Sequence, residues 1–319
     1  MQDIARQAGV SAITVSRALG GGTVKAETRQ RIVAAAETMG YQLNHAARNL
    51  RQQRTSTIAV VIEMQPSAAR PISDPYPMSL LGGIIEELSK ADFSAMLLTA
   101  EKFMRLPPSV DAVILLGQGF RNDAVALIDR CNHPLVVWGS SRSDEGRHVV
   151  VGSDNVGGGR LAALRLLELG RRRAIFLGDQ GHAEPADRLD GFAEAFAAGG
   201  GCVIDAIASD FTFIGGHQAM RTAIEAYGRD FDAVFAACDA IAMGAVRALI
   251  ERGRRVSEEV SVIGFDDAAS AQLFSPPLTT IHQDWHEGGR QLARKAMAMV
   301  QGEAAETTLL PVRLVVRAT

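Results

Sequence analysis

The stretch DIARQAGVSAITVSRAL, residues 3–19, holds two short helical patterns separated by a tight turn. The first helix is predicted over about 2–8 and ends at Gly9, because glycine readily adopts the left-handed conformation that closes a helix. Ser11 can cap the second helix, over about 12–19, since its hydroxyl accepts a hydrogen bond from a free backbone N–H. The chain therefore opens with two short helices joined by a turn.

The apolar residues of this region are spaced to build one small helical core. A third helix is predicted over about 26–39, and residues 1–51 contain no β-branched run that would indicate a strand. The residues expected to face inward are Ile4, Ala5, Ala8, Val15, Ala18, Leu19, Ile32, Val33, Ala36 and Met39. The opposite stripe of the second helix is left to solvent.

From Thr57 onward, short apolar runs alternate with amphipathic helical patterns, which is typical of parallel sheets. Strands are predicted near 57–62, 94–99, 111–116, 135–138, 148–151, 174–178, 203–208, 232–236 and 260–264. Helices are predicted near 78–90, 121–131, 156–169, 187–198, 215–228, 239–252 and 285–301. These units are too many for one small sheet, so the sequence predicts an α/β fold with two doubly wound parallel sheets. Ligands of such folds bind at the carboxyl ends of the strands and in clefts between domains.

The composition is that of an ordinary globular protein. A chain of 319 residues with 47% apolar and 22% charged residues is expected to form two or three packed units. Its apolar runs fall short of the ~20 residues that cross a bilayer, and no basic leader is present, so the sequence predicts a cytoplasmic protein that does not bind membranes. Cys131, Cys202 and Cys238 form no C-x-x-C pair, so they are expected to be buried thiols and not zinc ligands or disulfides.

The charge is distributed unevenly along the chain. Residues 1–57 hold eight basic and three acidic side chains, whereas the whole chain carries a net charge of −3. The first region is therefore basic and the rest is acidic, which predicts a head that binds a polyanion joined to an acidic body. The alternative is a helical subdomain that is basic for no functional reason, and charge alone does not reject it.

Short motifs occur in both regions of the chain. In the head they are residues 3–19 and 27–32, Gly40 with Tyr41, Asn44, and residues 47–50. In the body they are residues 153–155, Leu169 with Gly170, and residues 188–191, 242–244, 262–267 and 277–280. Any one of these motifs is weak, but together they resemble, in order and over nearly the whole chain, those of the lactose/galactose-repressor (LacI/GalR) family of transcription regulators.

The resemblance implies an architecture of a DNA-binding head, a hinge and a core. The helix-turn-helix DNA-binding domain would span 1–43, and a hinge helix with its linker would span 44–57. The periplasmic-binding-protein-like core would span 58–319. Its N-subdomain is expected at about 58–151 and 285–310, and its C-subdomain at about 152–281 and 311–319. The implied function is that of a transcription regulator, most simply a homodimeric repressor of a near-palindromic DNA operator.

The resemblance also assigns a set of DNA-binding residues. They are Ser11, Ala12, Ile13, Thr14, Ser16, Arg17, Asn44, Ala47, Arg48, Leu50 and Arg51. In the major groove, Arg17 can pair with guanine and Ile13 can contact a thymine methyl group. Leu50 would enter a central minor-groove step. The alternatives are that Ile13 and Arg17 are ordinary surface residues and that Leu50 belongs to a plain linker packed on the body.

The effector site that the resemblance implies is a sugar-type cleft in the core. Its expected residues are Tyr76, Arg188, Phe211, Cys238, Asp266 and Trp285. The guanidinium fork of Arg188 is expected to clamp two vicinal hydroxyls or a carboxylate, and Asp266 to accept a hydroxyl proton. Trp285 would lie under a sugar ring. For an isolated aromatic residue, packing in the core is the usual role, and for Tyr76 that alternative stays open.

Three departures from the family pattern are visible. Cys238 replaces a usual Asn, and Gly139 stands where a polar residue often reaches the ligand, so we expect a smaller or less polar effector. The crossover between residues 99 and 110 is short and contains Pro107-Pro108, so one sheet-covering helix is expected to be lost. Because this flank takes part in the family's dimer contact, the loss would alter the dimer.

Two other function classes compete with the regulator. Gly157, Gly159 and Ala162 follow the spacing of a dinucleotide-binding loop, and Asp179 lies at about the distance of its acidic partner. An NAD-type enzyme is disfavoured because residues 153–156 separate the strand from these glycines. A solute-binding protein is disfavoured by the basic head. We therefore predict a regulator that is not an enzyme, needs no cofactor or metal, and responds to a small sugar-like metabolite.

Overall fold

The computed structural model describes residues 1–19, 22–39, 55–63, 72–130, 132–142 and 148–319. The chain divides into two compact units, Met1–Ser56 and Thr57–Thr319. The hinge residues predicted to bind DNA, Asn44, Ala47, Arg48, Leu50 and Arg51, lie outside the described residues, as does Cys131.

The first unit contains three helices, α1 (Gln2–Gln7), α2 (Ala12–Leu19) and α3 (Ala26–Thr38), as the periodicity predicts. Ser11 caps α2, since its Oγ accepts a hydrogen bond from the backbone N of Thr14 at 3.1 Å. The buried residues of this small core are Ile4, Ala5, Ala8, Val15, Ala18, Ile32, Ala35 and Ala36.

The predicted burial of two residues in the head, Val33 and Met39, is wrong. Val33 is 39% exposed and Met39 is 44% exposed. The inward stripe of α3 runs through Ile32, Ala35 and Ala36 at the i, i+3, i+4 spacing. Val33 is turned about 100° away from that stripe, and Met39 lies beyond the last helical residue.

The second unit is built around two six-stranded sheets, and the predicted α/β class is confirmed. The first sheet has the order β11-β5-β4-β3-β1-β2, and all its neighbours are parallel. Its strands are β1 (Thr57–Ile62), β2 (Ser94–Thr99), β3 (Ala112–Leu116), β4 (Leu135–Trp138), β5 (Val149–Ser153) and β11 (Thr308–Leu310).

The second sheet has the order β12-β10-β9-β8-β6-β7, in which only the pairing of β10 with β12 is antiparallel. Its strands are β6 (Arg173–Leu177), β7 (Cys202–Ile207), β8 (Ala233–Ala236), β9 (Ser261–Asp266), β10 (Thr279–His282) and β12 (Arg313–Val315). The strands β10, β11 and β12 were not predicted, because three or four residues are too few to show an alternating pattern.

Helices cover both sheets. They are α4 (Pro75–Leu88), α5 (Ala100–Arg105), α6 (Asp123–Asp129), α7 (Asn155–Glu168), α8 (Ala183–Ala198), α9 (Phe213–Tyr227), α10 (Asp239–Glu251), α11 (Ala269–Leu273) and α12 (Trp285–Gln301), with a 3-10 turn at Phe120–Asn122. They pack in pairs, α4 with α12, α7 with α8, and α9 with α10. None of the helices in the described part of the chain is long and apolar enough to span a membrane.

The glycines that imitate a dinucleotide-binding loop serve helix packing. A Cβ at Gly159 would lie 2.0 Å from the carbonyl oxygen of Arg188, and one at Gly191 would lie 2.0 Å from that of Val156. Both distances are far below contact range, so α7 and α8 can approach this closely only because these positions lack side chains. Gly157 lies in the first turn of α7, where its backbone N donates to Asp154 Oδ1 at 2.8 Å. Helix packing and the first turn of α7 thus account for this glycine pattern without a bound dinucleotide.

The expectation that the crossover after β2 loses its helix is wrong. The helix α5 is present but short; Thr99 is its cap, and Phe103 on its inner face is completely buried. Pro107-Pro108 follows the helix and keeps it short, because proline lacks a backbone N–H and disfavours the helical conformation of the residue before it. Phe103, with the partly buried Ala100 and Met104, packs this short helix against the hydrophobic core of the first sheet.

The cysteines are only partly as predicted. Cys238 is buried, but Cys202 is exposed, because it begins β7 at the edge of the second sheet. The described residues contain no group of three or more His, Cys, Asp or Glu side chains arranged to hold a metal ion.

Candidate DNA-binding surface and effector cleft

The outward stripe of α2 is accessible, as a DNA-reading surface requires. Ile13 is 69% exposed, and Ala12 and Arg17 are exposed beside it. Ser11 is exposed as well, whereas Thr14 and Ser16 are half-buried. The structure therefore brings the predicted residues of this helix to one face, with an apolar and a cationic side chain available to base edges.

Arg29 positions the end of α2, a role that the sequence did not reveal. Its Nη1 donates to the carbonyl oxygen of Ala18 at 2.8 Å and its Nη2 to that of Gly22 at 2.7 Å. Both acceptors are backbone groups in or just after the last turn of α2, where carbonyls lack helical partners. Arg29, one of the eight basic residues of the head, thus bonds the end of α2. No local sequence signal distinguishes this role from binding to DNA phosphates.

A cleft lies where the strands of both sheets end. Its atom-free space is about 1050 Å³, including the open mouth. The first sheet contributes the segments after β1 and β3, and the second sheet those after β6, β7, β8, β9 and β10. All six predicted effector residues line it, namely Tyr76, Arg188, Phe211, Cys238, Asp266 and Trp285. This is the position at which α/β folds bind ligands.

The guanidinium of Arg188 is held largely by the protein. Its Nε donates to Asn155 Oδ1 at 2.8 Å and its Nη1 to the carbonyl oxygen of Ala237 at 2.5 Å. The group stacks on Phe265, 3.8 Å from the ring centroid, and the side chain is 4% exposed. Two of its three nitrogens are therefore bonded within the protein, and the clamp on a ligand stays a prediction. No hydrogen bond from Nη2 to the described residues is present, so Nη2 is the nitrogen most available to a ligand.

Two carboxyl groups form the floor of the cleft. Asp266 Oδ1 accepts from Gln283 Nε2 at 2.7 Å, and burial raises the pKa of Asp266 to about 7. Asp239 accepts from Thr280 Oγ1 at 2.5 Å and from the backbone N of Ala268 at 2.8 Å. Burial, followed by the nearby Asp266 charge, raises the pKa of Asp239 well above its usual value. Carboxyl groups near their pKa can both donate to and accept from hydroxyl groups.

The two departures from the family pattern in the effector site, Gly139 and Cys238, have different consequences. The space beside Gly139 is filled by Gln118, because a Cβ at position 139 would lie 2.3 Å from Gln118 Oε1. Gln118 accepts from the backbone N of Ser140 at 2.7 Å and donates to its carbonyl at 2.9 Å, and it also lines the cleft. The amide of Gln118 therefore supplies polarity that Gly139 lacks. Burial raises the pKa of Cys238 to about 12, so its thiol stays protonated and bonds only weakly.

Aromatic rings form two walls. Tyr76 and Trp285 make an edge-to-face pair with centroids 5.7 Å apart. In the other wall, the ring centroid of His182 lies 5.2 Å from that of Phe211 and 5.8 Å from that of Phe120, and both pairs are again edge to face. The indole Nε1 of Trp285 is buried and has no hydrogen-bond partner among the described residues. Such walls suit the apolar faces of a ring-shaped ligand.

Polar contacts join the two sheets beside the cleft. Ser140, after β4, donates through Oγ to Asp187 Oδ2 on α8. Arg142 Nη1 donates to Asp187 Oδ1 and to Asp190 Oδ2, both at 3.1 Å. The backbone N of Arg121 also donates to the carbonyl of Gly181 at 2.8 Å. These contacts hold the two halves of the cleft together without lining it.

Several cleft residues were missed by sequence reasoning, among them Glu63, Asp74, Gln118, His182, Glu184 and Gln283. Most of them lie within a few residues of a strand end or at a helix start. Their position relative to the strands was a usable signal, because carboxyl ends of parallel strands converge on one edge of a sheet.

Comparison with known proteins covers both units. Residues 1–44 match the pattern of bacterial regulatory proteins of the lacI family, and residues 163–319 match that of a periplasmic binding protein-like domain. The HTH-type transcriptional regulator CelR of Thermobifida fusca is 34% identical over 328 residues, which cover 99% of this chain and 94% of CelR.

Solved structures agree over the same length. A complex of the transcriptional regulator CelR with cellobiose superposes with a TM-score of 0.75 at 32% identity and covers 99% of this chain and 98% of its own. The lac repressor dimer bound to operator and the anti-inducer ONPF gives a TM-score of 0.82 at 27% identity, with 99% and 97% covered. The chain therefore belongs to the lacI family of bacterial regulatory proteins, which are DNA-binding transcription regulators and not enzymes.

Proposed function

We propose that this chain is a homodimeric repressor whose head binds operator DNA and whose cleft binds a small sugar-like effector. The single observation that carries the proposal is the cleft itself. It is built at the carboxyl ends of both sheets and combines aromatic walls, the half-occupied guanidinium of Arg188 and a floor of carboxyl groups. Its relative CelR is known with cellobiose bound, which supports a sugar as ligand.

The DNA-binding part of the proposal uses the exposed stripe of α2. Arg17 reads guanine and Ile13 a thymine methyl, while Ser11, Thr14 and Ser16 contact phosphates. The segment 44–57 acts as the hinge, in which Leu50 enters the minor groove and Ala47 lines it. Asn44, Arg48 and Arg51 supply further polar and phosphate contacts. The protein works at the nucleoid, in the cytoplasm.

The two activities are linked through the body of the protein. An effector that prefers one arrangement of the two sheets shifts the population toward it, and the hinge docks on DNA in only one arrangement. The shift is limited by the ratio of the effector affinities for the two states. The proposed domains are therefore the head (1–43), the hinge (44–57) and the effector-binding core (58–319).

The test combines a ligand screen with DNA binding. The purified full chain is screened by thermal shift against neutral sugars, with cellobiose first, because a ligand that binds the folded state raises its melting temperature. A sugar that raises the melting temperature is then added to the complex of the chain with the DNA upstream of its own gene, and binding is measured in a mobility-shift assay. We expect it to change DNA affinity by about fivefold or more. A stabilising sugar that leaves DNA binding unchanged would contradict the linkage.

A further inference from the structure

The turn that follows β3, residues 117–122, bridges the two sheets at the rim of the cleft. Its first residues, 117–119, line the cleft. The backbone N of Arg121 donates to the carbonyl oxygen of Gly181 at 2.8 Å, and Gly181 lies in the loop between β6 and α8. The ring of Phe120, which does not line the cleft, lies against the same glycine. The turn therefore contacts the second sheet with both its backbone and one aromatic side chain.

Gly181 leaves the space that the ring of Phe120 fills. A Cβ at Gly181 would lie 1.8 Å from Cε2 of Phe120, far below contact range. The φ angle of Gly181 is outside the left-handed region, so its own backbone conformation does not require a glycine. The close approach of a ring from the other sheet is what requires a glycine at this position.

Phe120 is the outer member of an aromatic row that ends in the cleft. Its ring centroid lies 5.8 Å from that of His182, which in turn lies 5.2 Å from that of Phe211. His182 and Phe211 belong to segments of the second sheet and line the cleft. Edge-to-face contacts favour particular orientations of both rings. The first sheet therefore supports, from outside the cleft, a wall that the second sheet presents to a ligand.

The backbone of the turn is held in a conformation that most side chains avoid. The φ angle is 78° at Gly119, 54° at Arg121 and 61° at Asn122. Glycine adopts this region freely and asparagine tolerates it, but it is unfavourable for arginine. Backbone of this kind persists only where surrounding contacts hold it, and it is common in segments that clamp ligands or switch. The bond of Arg121 to Gly181 is such a contact, so its loss is expected to let the turn relax.

We propose that the turn 117–122 is a latch between the two sheets and that Phe120 is a positioning residue for the effector cleft. In the latched arrangement, Phe120 seated on Gly181 joins the sheets at this rim and orients the ring of His182 against Phe211. Release of Phe120 frees the rim and removes one support of the wall. The effect on ligand affinity rests on the proposed function, whereas the latch itself belongs to the ligand-free chain.

The first experiment measures the latch in the ligand-free full chain through amide hydrogen exchange of residues 117–122. Gly181→Ala places a methyl group where the ring of Phe120 lies and is expected to accelerate this exchange by about tenfold or more, because the N–H of Arg121 loses its acceptor. The matched control is Gly82→Ala on α4, where a Cβ would make an ordinary contact at 3.6 Å, and no acceleration is expected. Unchanged exchange in Gly181→Ala overturns the latch.

A double-mutant cycle separates release of the latch from damage to the fold. Phe120→Ala removes the ring without adding an atom, and it is expected to accelerate the exchange as Gly181→Ala does. Because no ring is then left to displace, adding Gly181→Ala to Phe120→Ala is expected to accelerate the exchange by less than about twofold more. Fully additive effects would show that the two residues act independently and would overturn the latch.

The second experiment measures the positioning role on the full chain by calorimetry with cellobiose, or with the neutral sugar that the thermal-shift screen selects. Phe120→Ala is expected to weaken binding by about threefold to tenfold, because the wall loses a ring-to-ring contact. Leu164→Ala on α7 is the control, since Leu164 lies outside the cleft and is 47% exposed, compared with 45% for Phe120.

The outcomes distinguish the latch from the proposed function. Unchanged sugar affinity in Phe120→Ala, together with accelerated exchange, overturns the positioning role and leaves the proposed function intact. A wild-type chain that binds none of the sugars contradicts the proposed function and with it the positioning role. The exchange experiment still decides the latch in that case, because it uses no ligand.

Discussion

Arg188 combines burial, stacking and two hydrogen bonds within the protein, so its position is set before any ligand arrives. The Phe265 ring beneath it and the acceptors Asn155 Oδ1 and Ala237 O fix the plane of the guanidinium. A ligand then meets Nη2 in a defined direction and does not have to order a long side chain. Preorganisation of this kind reduces the entropic cost of binding.

We predict that Arg188→Ala abolishes the effector response and leaves operator affinity within about threefold of wild type. Loss of a buried, charged hydrogen bond is expected to weaken effector binding by about tenfold to 100-fold. Arg188→Lys is the informative companion, because a lysine cannot serve Asn155, Ala237 and a ligand in one plane. Calorimetry with the effector and a mobility-shift assay with DNA measure the two effects. Full effector affinity in Arg188→Ala would remove Arg188 from the site.

Asp266 makes the stability of the protein depend on pH. Burial raises its pKa from 3.8 to about 7, so the folded state holds a proton that the unfolded chain has already released. The free energy of unfolding therefore decreases as the pH rises from about 4 to about 7, and the destabilisation is complete above that range. Asp266→Asn removes the ionisable group and keeps an acceptor for Gln283.

We accordingly predict that Asp266→Asn raises the melting temperature of the ligand-free chain, and does so more at about pH 8 than at about pH 5. Thermal unfolding of both proteins at the two pH values measures the difference. Glu303→Gln, at an exposed position, serves as the control that should show no such trend. A constant difference across this pH range would mean that Asp266 ionises normally.

At the scale of elements, α8 is held from two sides. Gly159 and Gly191 allow it to pack closely against α7. Its acidic residues, the buried Asp187 and the exposed Asp190, bond Ser140 and Arg142 from the segment after β4. The helix that carries Arg188 is therefore bonded to the segment after β4 of the first sheet, so we expect a movement of one sheet relative to the other to act on the position of Arg188.

We predict that loosening these contacts lowers effector affinity without removing any ligand contact. Arg142→Ala breaks half-exposed ion pairs and is expected to cost about twofold to fivefold, whereas Ser140→Ala leaves the buried Asp187 without its hydroxyl donor and is expected to cost more. Calorimetry gives both values. Arg160→Ala, an exposed arginine on α7, is the matched control. If Ser140→Ala bound the effector normally, these contacts would be incidental to closure.

At the scale of the whole molecule, the two compact units divide the charge. The basic first unit holds the exposed α2 stripe, and the second holds the effector cleft. Because the second unit has its own two sheets and hydrophobic clusters, we expect it to fold alone.

The fragment Thr57–Thr319 is therefore predicted to keep effector affinity within about twofold of the full chain and to lose detectable binding to duplex DNA at physiological salt. Calorimetry and a mobility-shift assay on both proteins provide the measurement. A fragment that still shifted DNA would place part of the DNA-binding surface in the body.

The order of the longer helices and strands was readable from the sequence, because amphipathic periodicity is a local property of neighbouring residues. The short elements α5, α11, β10, β11 and β12 were not predicted. The boundaries of β1, β2, β4, α2 and α12 were predicted to the residue. The motif positions also led to six residues that share one cleft, since residues after consecutive parallel strands meet at one sheet edge.

Only the tertiary structure decided which partners those residues have. The bond of Ser140 to Asp187 joins positions 47 apart, and those of Gln118 to Ser140 join positions 22 apart. Arg188 donates to the carbonyl oxygen of Ala237, 49 positions away. Arg29 donates to a carbonyl at the end of α2, so its donating nitrogen is not available to DNA. Hydrogen bonds of this kind depend on how sheets and helices are brought together, and no pattern of neighbouring residues encodes them. Local periodicity thus specified the elements of this regulator, while long-range packing set the chemistry of its cleft.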